Sequence, residues 1–191
     1  LEIGSRYFED KRDYNLSAGQ DGDLNAATLQ KAEFDKVSSK VSLSYAMTDN
    51  STLYFRVAEG FRSGGFNPGQ TITYDAESLV AYELGGKASI LDNQLQVEGN
   101  IYHSNYSEFQ TFLLDLNLPS GFATLNAGEA EIKGVEWNIQ WQAFDQLSLA
   151  FSGNVTEAEY TALHPGVPSV LVGDKLDSVP EYSFTTSADY T

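Results

Sequence analysis

The sequence predicts an all-β protein: an antiparallel up-and-down meander of about eight strands that forms part of a larger transmembrane β-barrel. Three observations predict this fold. Apolar and polar residues alternate along most of the 191 residues. The connections between the alternating stretches are by turns short and long. No apolar run reaches the roughly 18 residues of a membrane-spanning helix, whereas a membrane-spanning strand needs only about ten alternating residues.

The alternation defines each strand. In the stretch Thr52–Phe61, Leu53, Phe55 and Val57 alternate with polar or small residues. Successive side chains of a strand point to opposite faces, so each such stretch has one apolar and one polar face. The alternation is cleanest around Trp137. In chain order, the predicted strands are Leu1–Phe8, Val37–Ala46, Thr52–Phe61, Leu79–Ile90, Leu95–Phe112, Ala130–Ala143, Leu147–Thr156 and Tyr182–Tyr190.

The connections are rich in turn-forming residues and differ regularly in length. Short Asp- and Asn-containing turns fall near residues 48, 92 and 145, because these residues tolerate the left-handed backbone of tight hairpins. The long loops are predicted at 9–33, 62–77, 113–128 and 158–180. Alternate connections of a meander lie at opposite ends of the sheet. One rim therefore carries the short turns and the other carries the long loops.

Composition excludes several classes of protein. Lys plus Arg is 11 against 27 for Asp plus Glu, a formal net charge of -16. This balance argues against a nucleic-acid partner, whose phosphates need a basic surface. Cysteine is absent, which excludes a disulfide framework and a thiolate metal site.

Periodicity alone leaves two architectures open. A soluble, secreted β-sandwich that acts as a binding module would also alternate, with its apolar face buried between two sheets. The unequal rims favour a membrane barrel, because outer-membrane barrels combine short periplasmic turns with long extracellular loops. Tyr and Trp residues near strand ends also favour it, since such rings settle at lipid headgroups.

Four segments resemble the barrel of TonB-dependent outer-membrane receptors. The first is 51–69, STLYFRVAEGFRSGGFNPG, and the second is 82–87, YELGGK, on the following strand. The third is 126–136, NAGEAEIKGVE, and the fourth is 154–160, NVTEAEY. Their order and spacing are similar to the family pattern from Phe34 to Thr191, and more loosely so from Leu1 to Glu33.

The resemblance implies a barrel of about 22 strands around an N-terminal plug domain. It also implies location in the bacterial outer membrane, contact with lipid, and import of a scarce nutrient such as a ferric siderophore, energised through TonB. We expect residues 1–191 to be a partial barrel that lacks the plug and the closing strands, so transport belongs to the parent protein. We expect a curved, open sheet whose edges are Leu1–Phe8 and Tyr182–Tyr190, which would make the isolated piece aggregation-prone.

Two sets of residues are candidates for function. The alternation of odd and even positions along each strand places a set of charged residues on the polar face. In a barrel this face would line the water-filled lumen. There the charged residues would pair across strands or contact a plug. These residues are Lys40, Arg56, Glu83, Lys87, Glu98 and Glu136. The second set lies at the long-loop rim, where Arg62 could bind an anionic chelate and the aromatic rings could stack on a flat ligand. This set is Phe61, Arg62, Phe66, Asn67, Phe112 and Phe122.

No pattern predicts an enzyme, a cofactor site or a metal site. His103 and His164 have no neighbours at catalytic-triad or metal-ligand spacing. Asp21, Asp23 and Asn25 have the start of a calcium-loop spacing. Ala26 and Ala32, however, replace the glycine and the bidentate glutamate that such a loop requires, so we interpret the segment as a solvated acidic loop.

Overall fold

The computed structural model describes residues 1–16, 28–68, 70, 72–114, 121–165, 167 and 170–191, with only the backbone described for residues 15, 16, 28 and 29. The expectation for Asp21, Asp23 and Asn25 therefore lies outside the described residues. Within these ranges, no helix is long and apolar enough to cross a membrane.

Eight long strands form one antiparallel sheet in which every strand neighbours the next long strand of the chain. The strand order is β1-β2-β3-β6-β7-β10-β11-β12. The predicted meander of eight strands is confirmed, with β1 and β12 at its two edges. The bounds are β1 Glu2–Leu16, β2 Thr28–Thr48, β3 Ser51–Arg62, β6 Glu77–Ile90, β7 Leu95–Ser107, β10 Gly128–Phe144, β11 Leu147–Leu163 and β12 Tyr182–Tyr190.

Two small hairpins lie within the long loops. The loop between β3 and β6 contains β4, Gly65–Phe66, paired with β5, Thr73–Tyr74. The loop between β7 and β10 contains β8, Gln110–Leu114, paired with β9, Phe122–Asn126. We name these connections the β3–β6 loop and the β7–β10 loop.

Several predicted boundaries are wrong in the same direction, because the strands continue past the apolar band. The predicted loop 9–33 is largely strand, since β1 and β2 remain paired as far as Leu16 and Thr28. The predicted loop 158–180 begins too early, because β11 continues to Leu163. The predicted strand Leu95–Phe112 is broken at Glu108, whose φ of 56° ends β7 and starts a separate strand. In the extensions of β1 and β2 most residues of both faces are polar, which a hydrophobic pattern does not reveal. The extension of β11 does alternate, with Ala158 and Tyr160 buried, so the predicted end of that strand is too early despite an apolar signal.

The connections alternate in length as predicted. The turns after β2, β6 and β10 are short, and the one after β6 has a left-handed backbone at Leu91, Asp92 and Asn93. The connections after β1, β3, β7 and β11 are long, and all lie at the opposite end of the sheet. The sheet therefore has one rim of tight turns and one rim of long loops.

Neighbouring hairpins are staggered. Ser51, the first residue of β3, pairs with Ala88, and β6 runs two residues further to Ile90. Leu95, the first residue of β7, pairs with Trp141, and β10 runs three residues further to Phe144. A constant stagger in one direction means that the strands are tilted relative to the rim, as closure of a barrel requires.

One face of the sheet is apolar and uncovered. Leu84, Ile101, Val135 and Val155 lie opposite one another on four successive strands and are 45–54% exposed. All eight long strands belong to this single sheet, so no second sheet packs over its apolar face. The sandwich alternative is therefore excluded for the described residues. We call this surface the apolar face and the opposite one the polar face.

Ion pairs border the apolar face on the long-loop side. Lys133, one step beyond Val135 on the same face, contacts Glu131 at 2.9 Å and Glu157 at 3.3 Å. In the loop after β11, a hydrogen bond with Glu181 raises the pKa of Lys175. Charged residues are thus concentrated where the apolar band ends, as is expected at the boundary between lipid and water.

We predict that a charge on the apolar face destabilises the barrel and that the same charge on the polar face does not. Ile139→Arg, in the apolar band of β10, should cost about 2–4 kcal/mol because lipid cannot solvate the guanidinium. Asn138→Arg, its neighbour on the polar face opposite Glu98, should change stability by less than about 0.5 kcal/mol. Denaturant unfolding of the full-length protein in lipid vesicles measures both variants. Equal effects would contradict the assignment of the two faces.

Candidate ligand-binding site

The six charged residues proposed for the lumen all lie on the polar face, and several pair across strands. Arg56 Nη1 lies 3.3 Å from Glu83 Oε2, and Tyr54 donates a hydrogen bond of 2.6 Å to the same carboxylate. Lys40 contacts Glu2 at 2.7 Å. Each pair joins neighbouring strands, so these charges stabilise the wall of the sheet.

The remaining three lie nearer the short turns. Asn100 donates to Glu136 at 3.3 Å, and Lys87 lies opposite Glu98 in the register of β6 and β7. Lys87 and Glu98 line a polar pocket of about 460 Å³ together with Asn138. The polar face is thus wettable along its whole length, as a lumen requires.

At the other rim, the β3–β6 and β7–β10 loops are joined by side-chain hydrogen bonds. Glu77 accepts a hydrogen bond of 2.7 Å from the backbone N–H of Gln110 and one of 3.0 Å from Nη2 of Arg62. The same Nη2 donates to the carbonyl oxygen of Gln110 at 3.0 Å. Arg62 therefore stands at the contact between the two loops, with 55% of its side chain exposed.

Asn67 is a structural residue of this contact. Its side chain exchanges two hydrogen bonds with the backbone of Thr124, donating at 2.9 Å and accepting at 2.7 Å. This arrangement imitates a step of β-ladder pairing between the two loops. Asn67 is only 4% exposed, so its amide is committed to the fold.

The aromatic residues of the rim divide into two groups. Phe61 packs edge-on against Phe8, with ring centroids 5.6 Å apart, and Phe66 stacks on Tyr14 at 5.7 Å. These rings join the β3–β6 loop to β1. Their contacts are internal to the rim.

Phe112 and Phe122 form the second group and face outward. Their centroids are 5.2 Å apart, and they are 59% and 44% exposed. The β8–β9 hairpin thereby presents an aromatic surface to solvent. Exposed aromatic pairs of this kind are suited to stacking on a planar ligand.

A cleft of about 390 Å³ lies between the two loops and β1. We call it the rim cleft. It is lined by two arginines, two aromatic residues and several small polar groups. The lining residues are Arg12, Arg62, Ser63, Tyr74, Gln110, Thr111, Phe112 and Thr124. The cleft therefore combines guanidinium donors, a phenol hydroxyl and an aromatic ring in one concave surface.

Sequence reasoning found Arg62 and Phe112 but missed Arg12, Tyr74, Glu77 and Gln110. The sequence predicts a loop at Arg12, although its even parity with Phe8 and Asp10 places it on the polar side of β1. Arg12 donates to Asp10 at 2.7 Å, which holds the guanidinium over the cleft mouth. The parity was the available signal. The roles of Glu77 and Gln110 depend on the approach of two distant loops, for which the sequence carried no signal.

The histidines pair with carboxylates. His103 lies 3.2 Å from Glu131, and His164 lies 2.9 Å from Glu108. Among the described residues, no group of three or more His, Asp or Glu side chains could hold a metal ion.

We predict that Gly64→Ala disrupts the rim cleft. A Cβ at Gly64 would overlap the carbonyl oxygen of Tyr74 and lie 2.8 Å from Asp75 C, so the β3–β6 loop would have to move. We expect a loss of about 1–3 kcal/mol in the free energy of unfolding, as for other overpacked sites. Gly4→Ala is the control, since its Cβ would have its nearest neighbour, Lys40 Cε, at 4.0 Å. Chemical denaturation compares the two, and equal stability would argue against close packing at Gly64.

Comparison with known proteins identifies the family. The family model described as "TonB dependent receptor-like, beta-barrel" matches residues 1–191. The pesticin receptor of Yersinia pestis is 32% identical over 168 residues, which cover 83% of this chain and 23% of that receptor. The chain thus spans about a quarter of the length of the curated relatives it matches.

Solved structures agree with the fold. The ferric yersiniabactin uptake receptor FyuA from Yersinia pestis superposes with a TM-score of 0.74 and 25% identity, covering 98% of this chain and 28% of FyuA. The siderophore receptor PiuA from Acinetobacter baumannii gives a TM-score of 0.76 at 21% identity, with coverage of 98% and 28%. These relatives are receptors rather than enzymes, in agreement with the sequence prediction. The chain belongs to the TonB-dependent receptor family and forms part of its β-barrel in the bacterial outer membrane.

Proposed function

We propose that the full-length protein is an active importer that binds a ferric siderophore or a similar chelate and moves it inward with energy relayed by TonB. The observation that carries this proposal is the rim cleft, which opens on the polar face at the long-loop rim. Similarity to a ferric yersiniabactin uptake receptor supports it. Lipid would contact the apolar face, and a plug domain would lie against the polar face.

The chemistry of the rim cleft suits an anionic chelate that carries aromatic groups. Arg12 and Arg62 supply planar donor forks, which match carboxylate and phenolate oxygens. Because Asp10 and Glu77 already neutralise part of their charge, the arginines act as oriented donors rather than as bare positive charges. Phe112 supplies the surface on which a flat ring can stack.

The positions of the rim cleft and of the charged residues on the polar face are consistent with capture of a ligand at the rim followed by its movement inward. The rim cleft lies at the long-loop end, and the paired charges of the polar face continue from it toward the short turns. A ligand that leaves the rim cleft would therefore meet a hydrated wall rather than an apolar one. A hydrated polar wall would offer the ligand many weak contacts along its path.

We predict that Arg62→Ala lowers chelate affinity about 10- to 100-fold in the full-length receptor. This range corresponds to the loss of about 1.5–3 kcal/mol for hydrogen bonds to a charged group. Phe112→Leu should cost less, about 0.5–1.5 kcal/mol, because only stacking is lost. Titration with ferric yersiniabactin and with ferric 2,3-dihydroxybenzoate, followed by tryptophan fluorescence, measures the affinities.

Lys31→Ala is the control, because Lys31 is an exposed rim cation outside the rim cleft that lies 3.8 Å from the carboxylate of Asp13. Its affinity should equal that of the wild type. Uptake of radiolabelled iron should stop when the proton gradient is dissipated, while binding persists. Unchanged affinity in Arg62→Ala, or uptake that survives loss of the gradient, would contradict the proposed function.

A further inference from the structure

We propose that Glu77 and Gln110 join the β3–β6 and β7–β10 loops into one rigid body, in which Glu77 is the positioning residue for Arg62. The two loops would then move together or not at all during any opening of the rim. The positioning of Arg62 for ligand rests on the proposed function, whereas the joining of the loops does not.

The first step of the argument is the burial of Glu77. This residue begins β6 and is 7% exposed. It accepts a hydrogen bond of 2.7 Å from the N–H of Gln110 in the β7–β10 loop and one of 3.0 Å from its cross-strand partner Arg62, the last residue of β3. A buried carboxylate that loses its donors carries a large desolvation penalty. Separation of the loops would impose that penalty on Glu77, so its charge favours the joined state.

The second step is the side chain of Gln110. Its amide donates to two carbonyl oxygens of the opposite loop, Ser63 O at 3.0 Å and Asp75 O at 2.9 Å. Ser63 lies at the start of the β3–β6 loop and Asp75 near its end. One glutamine, itself 8% exposed, therefore holds both ends of the other loop.

The third step is the presence of further contacts away from Gln110. Asn67 pairs with Thr124 through two hydrogen bonds. Asn126 accepts from the N–H of Asp75 at 2.6 Å and donates to its carbonyl oxygen at 3.0 Å. One contact would act as a hinge, but three separate contacts fix both position and orientation. The two loops therefore lack the freedom to rotate about Gln110.

The consequence for the rim cleft is that its two walls keep a fixed spacing. Arg62 ends β3 at the base of the β3–β6 loop, Phe112 belongs to the β7–β10 loop, and both line the rim cleft. Their relative position is set by Glu77 before any ligand arrives. Such preorganisation lowers the entropic cost of binding.

Spin-label distances in the full-length receptor test the proposal. Thr73→Cys and Leu114→Cys place one exposed label on each loop, in a receptor whose other cysteines, if present, are replaced by serine. We expect a narrow distance distribution in the wild type and at least a twofold broader one in Glu77→Ala. Hydrogen exchange at the Gln110 amide should become at least tenfold faster. Glu108→Ala, which removes an exposed carboxylate of the β7–β10 loop, is the control and should change neither quantity.

Glu77→Gln separates the two roles. Its amide oxygen still accepts from the Gln110 N–H, so the distance distribution should stay within 1.5-fold of the wild-type width. Arg62 loses its charged partner, so affinity for ferric 2,3-dihydroxybenzoate should fall three- to tenfold. A narrow distribution in Glu77→Ala, or unchanged affinity in Glu77→Gln, overturns the proposal. If the wild type does not bind this chelate, the proposed ligand class fails, and the distance and exchange measurements still decide whether the loops are joined.

Discussion

The constraint on which the rest of the structure depends is that lipid offers no hydrogen bonds to the backbone. Every N–H and C=O within a membrane must find a partner in the protein. The chain meets this requirement with eight long strands, each hydrogen-bonded to the next one in the meander. Because pairing fixes the pleat, it also fixes which side chains meet lipid and which meet water. The alternation of apolar and polar residues in the sequence follows from this pairing of the strands.

The same pairing explains why the rim cleft lies at the long-loop rim and not at the short-turn rim. Tight turns suffice where strands only reverse, and they leave little room for a site. The small hairpins within the long loops pair only part of the loop backbone, so the two loops also satisfy polar groups with one another. Buried Glu77, Asn67 and Gln110 do this by pairing with the backbone of the opposite loop. The rim cleft thus arises where backbone pairing gives way to side-chain pairing.

This division also explains how much could be predicted from sequence. The strand order, the single sheet and the two faces follow from local alternation, as Val135, Trp137 and Ile139 show. The parts of β1 and β2 next to the long loop that connects them could not be predicted, because most residues on both of their faces are polar. For the rim cleft, Arg62 and Phe112 were identifiable by residue type. Glu77 and Gln110 were not, because their roles depend on contacts between distant segments.

The length of the first hairpin has a consequence for where recognition takes place. On the apolar side of β1, Tyr7 is followed by Glu9, so the apolar band ends there. Arg12 lies further up the strand, about 12 Å higher at roughly 3.4 Å per residue and a tilt of about 45°. That height exceeds the Debye length of about 8 Å at physiological ionic strength. The anionic ligand proposed for the rim cleft would therefore be largely screened from charge at the membrane surface, and its capture would depend on the receptor rather than on the surrounding lipid.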